Sequence, residues 1–389
     1  MEQIPFSSIT EYNTYKKNYK DSIELFGSID PQYQFISEQY TGKVDFNPKD
    51  IRVFLYDIEV INLEDDPNMD GFPKPEDAAV PVVSFSLKDL KSNIMYCYAL
   101  VDYDPSKTIL DLGTTEIIFE KFETERELLL KFIELFETLH PDVLIGYYSK
   151  SFDDPYILHR ILKVLGERYL KKLSPCNSVT VEFKENKFGK IEPRVLIKGL
   201  QVLDYLELYK KFIPAGRESY SLDFIAKYEL GDNKIEYADF ENLKEFYQKD
   251  PQLATDYNIY DSELIHLLDK KLGLISLVFT IAYMAKVNFE DVISPIRTWD
   301  SLIYNNLKEK GIVIPPQKHN MKEQYPGAYV RDPECGIYDW IMTYDLASLY
   351  PHIIMQYGIS PETIVTKELI GMDINKIDDE IKSLENMLT

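Results

Sequence analysis

Apolar and polar positions along this chain fall into short blocks whose period changes from two to between three and four. Residues 53–60 (Val-Phe-Leu-Tyr-Asp-Ile-Glu-Val) form an apolar run interrupted by two acids, which predicts a buried strand. Further strand-like runs lie near 80–87, 93–101 and 142–146. Segments 179–183 and 194–198 flank a Lys/Asn/Gly stretch and predict a hairpin. Val202-Leu203-Asp204-Tyr205 reads as one more strand end bearing an acid. Residues 123–139 have the spacing of an amphipathic helix, and helical patterns dominate 240–290. A Pro/Gly/Asp loop spans 65–75, and 1–50 is a polar, tyrosine-rich mixed region. At 340–345 a fresh strand ending in an acid is predicted, opening another domain. Strands, a crossover helix and a further strand in this order predict an α/β domain with a mixed sheet.

With 389 residues, 45% of them hydrophobic, the chain can build two or three domains with substantial cores. Its net charge of −22 argues against a generally sticky nucleic-acid binder, because phosphate attraction needs clustered Lys and Arg. A local groove remains compatible with that charge. Cys97, Cys176 and Cys335 are too few and too scattered for a structural zinc site, and fit a reducing compartment. The start lacks a basic region followed by an apolar stretch, so no signal peptide is expected. No run reaches about 20 consecutive apolar residues, so no membrane span is expected.

The two acids in the first strand carry the chemistry. Side chains alternate faces along a strand, so Asp57 and Glu59 point the same way. Side by side they repel and are costly to bury, unless a cation lies between them or the strand end simply reaches solvent. Hard oxygen ligands favour Mg²⁺ or Mn²⁺. Two more acid-bearing segments follow. Ser151-Phe152-Asp153 comes just after the buried strand that ends at Gly146. Tyr257 and Asp261 are four apart on a predicted helix and so share a face. Such a pair is most often an ordinary packing pair, and each fragment alone is a weak signal. The tip of the 179–198 hairpin carries Lys184, Lys187, Lys190 and Phe188, which would suit either a nucleic-acid contact or a solvated loop.

Taken in order, D-x-E, F-D and Y-x-x-x-D resemble the three motifs of the 3′–5′ proofreading exonuclease of family B DNA polymerases, in detail those of T-even-type bacteriophages. Supporting stretches are 70–73, 202–212, 219–223, 294–300 and 325–330, and 345–351 (Asp-Leu-Ala-Ser-Leu-Tyr-Pro) resembles polymerase motif A. The resemblance implies a ribonuclease H-like exonuclease domain over 51–273. It also implies a reduced amino-terminal domain over 1–50, joined by 274–316, and the beginning of a palm over 317–389.

By the same resemblance, two Mg²⁺ (or Mn²⁺) ions about 3.5–4 Å apart would serve phosphodiester hydrolysis. Asp57 would bridge them, Glu59 and Asp261 would complete the site of the water-activating ion, and Asp153 would hold the second. Tyr257 would orient the attacking water with Glu59. Lys234 aligns with a lysine near the family's site, where it would contact phosphate; an ordinary surface lysine is the alternative. Phe152 would stack on the terminal bases. The family usually has asparagine where this chain has Tyr148, which bears on handling of the terminal nucleotide. In the palm, Asp345 would bind metal, the Leu346 backbone would help to hold the triphosphate, and Tyr350 would exclude ribonucleotides.

The family's D-x-D palm motif and its K-x-x-x-N-S-x-Y-G fingers helix do not occur after residue 351. The chain alone is therefore not expected to polymerise DNA. Ile374, Ile377, Ile381, Leu384 and Leu388 form an apolar seam, which would cover the palm fragment itself or dock onto a separate carboxy-terminal polymerase chain. A naturally split polymerase and an incomplete fragment both fit. Expected partners are the 3′ end of a single DNA strand, that second chain and other phage replisome proteins, in the host cytoplasm. A noncatalytic replisome subunit and a free-standing repair nuclease are the competing readings; motif A argues against the latter.

Overall fold

The doubly acidic run becomes strand β1 (Val53–Val60) inside a six-stranded sheet. The others are β2 (Val82–Asp89), β3 (Ile94–Ala99), β4 (Glu116–Lys121), β5 (Val143–Gly146) and β8 (Gln201–Asp204), in the order β4-β3-β2-β1-β5-β8. β1 pairs antiparallel with β2 and parallel with β5; β3–β4 and β5–β8 are parallel, so the sheet is mixed as expected. The predicted hairpin forms separately from β6 (Val179–Glu185) and β7 (Ile191–Ile197). The computed structural model describes residues 4–19, 22, 26, 29–62, 73–185, 189, 191–231, 240–314, 327, 329–360 and 363.

Helices follow in chain order: α1 (Ile9–Tyr19), α2 (Pro31–Gln39), α3 (Glu125–Leu139), α4 (Asp153–Val164), α5 (Glu167–Leu170), α6 (Tyr205–Phe212), α7 (Leu222–Leu230), α8 (Leu243–Lys249), α9 (Pro251–Leu272), α10 (Leu274–Ala285), α11 (Pro295–Glu309) and α12 (Leu349–Tyr357). The amphipathic helix read from 123–139 is α3. Thr124 and Glu127 close a capping box at its start, and Leu128, Leu129, Phe132, Ile133 and Phe136 are buried. Each such side chain contributes roughly 1.5–3 kcal/mol on burial, and losing the cap by Thr124→Ala costs about 1 kcal/mol.

Alternation along β1 sorts its residues into two cores. Phe54, Tyr56 and Ile58 pack with α3 and α4, whereas Val53 and Leu55 pack with α6, α9 and α10. Asp57 and Glu59 continue the Val53–Leu55 row, so they lie on the face that α9 crosses. Asp250 caps α9, Pro251 occupies its first turn and Gly273 ends it in the left-handed region at φ 65°. Nearer the amino terminus, the Tyr33 hydroxyl of α2 donates to Asp291 at 2.5 Å, and Ser37 donates to Asn305 at 2.5 Å.

Met1–His319 and Asn320–Thr389 are separate compact units. In the second, 341–346 carries no regular secondary structure, so the strand predicted at 340–345 does not form. An apolar run becomes a strand only where another backbone edge takes its hydrogen bonds, and among the described residues none does. Conversely, β4 escapes sequence reading because Glu-Ile-Ile-Phe-Glu-Lys has acids and a lysine at its ends and forms an edge. The 374–388 seam, most of the 65–75 loop, and Lys187, Phe188 and Lys190 at the hairpin tip lie outside the described residues.

Candidate metal centre

Asp57 and Glu59 of β1 meet Asp261 of α9, with one carboxylate oxygen from each within 4.8 Å of the other two. Glu59 and Asp261 are buried and Asp57 is half-buried. Like charges this close are unfavourable by themselves, whereas an all-oxygen donor set suits a hard divalent cation. This is the one such group of three among the described residues.

The approach of α9 to the sheet is built from small polar side chains. Ser86 and Ser84 on β2 stand opposite Asp57 and Glu59 in the strand register. Ser86 Oγ donates to the Asn258 carbonyl at 2.7 Å and lies 2.7 Å from Ser262 Oγ. Ser84 Oγ lies 2.9 Å from the Tyr247 hydroxyl. Asn258 Nδ2 donates to Asp57 Oδ2 at 2.8 Å. Farther along the same row, buried Lys88 pairs with Glu263 at 2.7 Å, and His266 Nδ1 lies 2.8 Å from that carboxylate. Burial alone would raise Glu263, but the hydrogen bonds from His266 and Lys88 hold it below the usual carboxylate range.

Tyr257 lies one turn before Asp261 on α9, half-buried, packed near Ile61 and edge-on to Phe246 with ring centroids 6.2 Å apart. Asp153 is the first residue of α4 and is buried. It lies outside the three-carboxylate cluster but within its field: burial first, and then the charge of Asp57, push its carboxyl well above the ordinary range. Beside it, Asp154 accepts a hydrogen bond from the Tyr56 hydroxyl. Burial raises Asp154 to about 7, against the opposing hydrogen bond from Tyr56.

The turn between β5 and α4 brings Tyr148 to the rim. Gly146 permits it, since a Cβ there would stand 2.5 Å from Ser149 Cβ. Tyr148 adopts a left-handed conformation at φ 62°. Its amide donates to Asp204 Oδ1 at 2.9 Å, and the Lys150 amide donates to Asp204 Oδ2 at 3.3 Å. A cavity of about 450 Å³ adjoins the carboxylates, lined among others by Asp57, Asp261, Tyr147, Tyr148, Lys210 and Tyr220. Lys210 Nζ sits 4.5 Å from the Tyr220 ring centroid. The cavity thus offers a cation and exposed aromatic surface next to metal-type ligands. Phe152 instead lies half-buried and stacks on Tyr156, with centroids 5.3 Å apart, whereas Tyr148 at the rim is 53% exposed.

Asp345, Leu346 and Tyr350 belong to the second unit and are exposed, with Tyr350 in the first turn of α12. Lys234 lies outside the described residues. Sequence alone does not distinguish Asn258, Asp154, Tyr56 and Lys210 as site residues. The only local signals were an amide between Tyr257 and Asp261, a second acid after Asp153, and a tyrosine in an apolar run. Among the described residues no helix is long and apolar enough to cross a membrane.

Comparison with known proteins gives two family matches. Residues 11–225 match "DNA polymerase family B, exonuclease domain" and residues 296–386 match "DNA polymerase family B". The first covers the six-stranded sheet, a mixed α/β fold of the ribonuclease H-like kind. The DNA-directed DNA polymerases of Escherichia phage RB69 and Enterobacteria phage T4 are each 33% identical over 378 residues, 92% of this chain and 41% of theirs. The DNA polymerase delta catalytic subunit of Candida albicans is 31% identical over 267 residues, 65% of this chain and 25% of its own length. The chain therefore spans about two fifths of the length of its phage relatives.

Proposed function

Because the chain belongs to family B of the DNA polymerases and contains that family's exonuclease domain, we propose that it shortens single-stranded DNA from the 3′ end by metal-assisted hydrolysis, releasing 5′-mononucleotides. The observation that carries this reading is the convergence of Asp57, Glu59 and Asp261 beside an aromatic- and lysine-lined cavity. Two Mg²⁺ or Mn²⁺ ions, when bound, would supply an activated water and neutralise charge on the attacking and leaving oxygens. Asp57, Glu59 and Asp261 would hold one ion, and Asp57 with Asp153 would serve the other. Tyr257 and Glu59 orient the attacking water. Tyr148 and Tyr220 offer ring faces to the terminal bases, and Lys210 meets the phosphate backbone. This local cation reconciles DNA binding with a net charge of −22.

The proposal extends to the organisation of the chain. Residues 51–273 form the exonuclease domain, 1–50 with 274–316 an amino-terminal domain, and 317–389 belong to the palm. There Asp345, Leu346 and Tyr350 would serve the incoming nucleotide once the rest of a polymerase is present. A carboxy-terminal polymerase part and the other replisome proteins of a phage are the proposed partners, in the host cytoplasm. The test is digestion of a 5′-labelled single-stranded oligonucleotide with Mg²⁺, Mn²⁺ or EDTA. A metal-dependent ladder shortening from the 3′ end is expected; no ladder from folded protein overturns the reading.

A further inference from the structure

The side chains proposed as ligands come from three elements: Asp57 and Glu59 from β1, Asp261 from α9 and Asp153 from α4. A site built this way needs each element fixed against the others. Asn258 and the β2 serines fix α9 to β1 and β2. On the opposite face of β1, the Tyr56 hydroxyl donates to Asp154 Oδ1. Tyr56 is the chain neighbour of Asp57, and Asp154 is the chain neighbour of Asp153. The bond therefore joins the two backbones one residue away from a carboxylate on each side.

A side-chain cap does not supply that constraint. Phe152 occupies the N-cap position of α4 and makes no side-chain cap, so the first turn lacks the usual local anchor. The next turn is held: the Tyr156 hydroxyl donates to the Val80 carbonyl at 2.7 Å. Tyr56 is 1% and Asp154 2% exposed, within the apolar layer formed by Phe54, Ile58, Tyr156 and Ile157. A tyrosine–aspartate pair there is poor value as a stabiliser, because the net gain of a buried hydrogen bond is small and apolar residues would fill the layer without desolvation. What the pair adds is direction.

We propose that the Tyr56–Asp154 hydrogen bond is a positioning device that sets the start of α4 against β1 and so places Asp153 for the second metal ion. The inference rests on the exonuclease reading above. Tyr56 and Asp154 are positioning residues and touch neither ion nor substrate.

The test compares the wild-type chain with Tyr56→Phe, Asp154→Ala, Asp154→Asn and the Tyr56→Phe/Asp154→Ala double variant. Three quantities are read: the half-saturating Mg²⁺ concentration for oligonucleotide digestion, Mn²⁺ binding by calorimetry without DNA, and thermal unfolding. Tyr56→Phe and Asp154→Ala are each expected to weaken the lower-affinity ion by about 10-fold or more, the range seen when ligand-supporting groups are removed. The double variant should be no worse than either single one, since all three lack the same bond. Asp154→Asn keeps an oxygen that accepts from Tyr56 and should stay within about twofold of wild type by the same logic. Unchanged metal dependence in folded Tyr56→Phe, additive losses in the double variant, or Asn behaving like Ala would each overturn the proposal. A wild-type chain that binds two ions but cuts nothing would refute the exonuclease reading instead, while the calorimetric comparison still decides the role of Tyr56.

Discussion

Asn258 Nδ2 donates to Asp57 Oδ2 across 2.8 Å, so the helix that delivers Asp261 is tethered to the strand carboxylate it must meet. One turn of α9 thereby carries the tether and its cargo three residues apart. Removing the tether by Asn258→Ala should leave the fold intact and lower divalent-ion affinity by about 10- to 100-fold, as for other outer partners of metal ligands. Mn²⁺ titration of the purified variant checks this. An affinity equal to wild type would mean that Ser84, Ser86 and the packing of α9 suffice.

Substitution at Asp261 should separate stability from activity. Asp261→Asn removes one of three crowded carboxylates, which relieves repulsion in the metal-free protein. We expect the midpoint of thermal unfolding in EDTA to rise by about 2–4 °C, the response of a domain of this size to roughly 1 kcal/mol. Digestion with Mg²⁺ should fall by about 10²-fold or more, in the range of lost catalytic groups. Calorimetry in EDTA and an oligonucleotide assay test the two halves. A variant that still digests DNA at the wild-type rate would remove Asp261 from the site.

Metal uptake should release protons. Asp153 is held well above the ordinary carboxylate range by burial and by Asp57, and Asp154 is raised by burial to about 7. An acid raised in the folded state binds protons that the unfolded chain has already lost, so its effect on stability becomes less favourable as pH rises. For Asp154 that window runs from its ordinary value of 3.8 to about 7. The metal-free protein should therefore unfold at higher temperature at pH 6 than at pH 7.5. Cations compete with the proton on Asp153, so affinity should increase with pH over the same direction of change. Calorimetric titrations of Mn²⁺ in two buffers of different ionisation enthalpy would reveal the released protons; identical heats would contradict the linkage.

Tyr148 offers a test on the substrate side. Its backbone is left-handed at φ 62°, a conformation that asparagine adopts more readily than tyrosine. Tyr148→Asn should therefore fold at least as well as wild type. Loss of one base-stacking ring costs about 1–3 kcal/mol of single-strand binding. KM for an oligonucleotide should accordingly rise by about 5- to 150-fold with kcat little changed. A fall in kcat at constant KM would place Tyr148 in the chemical step instead of in substrate capture.

Legibility from sequence followed the range of the interaction. β1, α3 and the Tyr257–Asp261 spacing were readable because alternation and helical period are local properties of the chain. The common face of Asp57 and Glu59 came from the same rule. Tyr56–Asp154, Asn258–Asp57 and the placement of Lys210 at the cavity were not readable. Each depends on which segments the sheet order brings together, and the first two span 98 and 201 residues. The unformed strand at 340–345 is the same limitation seen from the other side, since its apolar pattern says nothing about a partner edge. Phe152 was readable as an aromatic beside the site, but its stacking on Tyr156 is a matter of packing.

The 201-residue separation between Asp57 and Asn258 also sets a timetable. At about 5–20 residues per second of synthesis, roughly 10–40 s pass between the ribosome adding Asp57 and adding Asn258. By the end of that interval β1, β2 and β5 have been made, while the face that carries the paired acids still lacks α9. Until α9 arrives, the nascent chain has two of the three clustered ligands and no lid over them. The activity proposed here would therefore switch on late in the life of each molecule, with α9 the last of its ligand-bearing elements to be made.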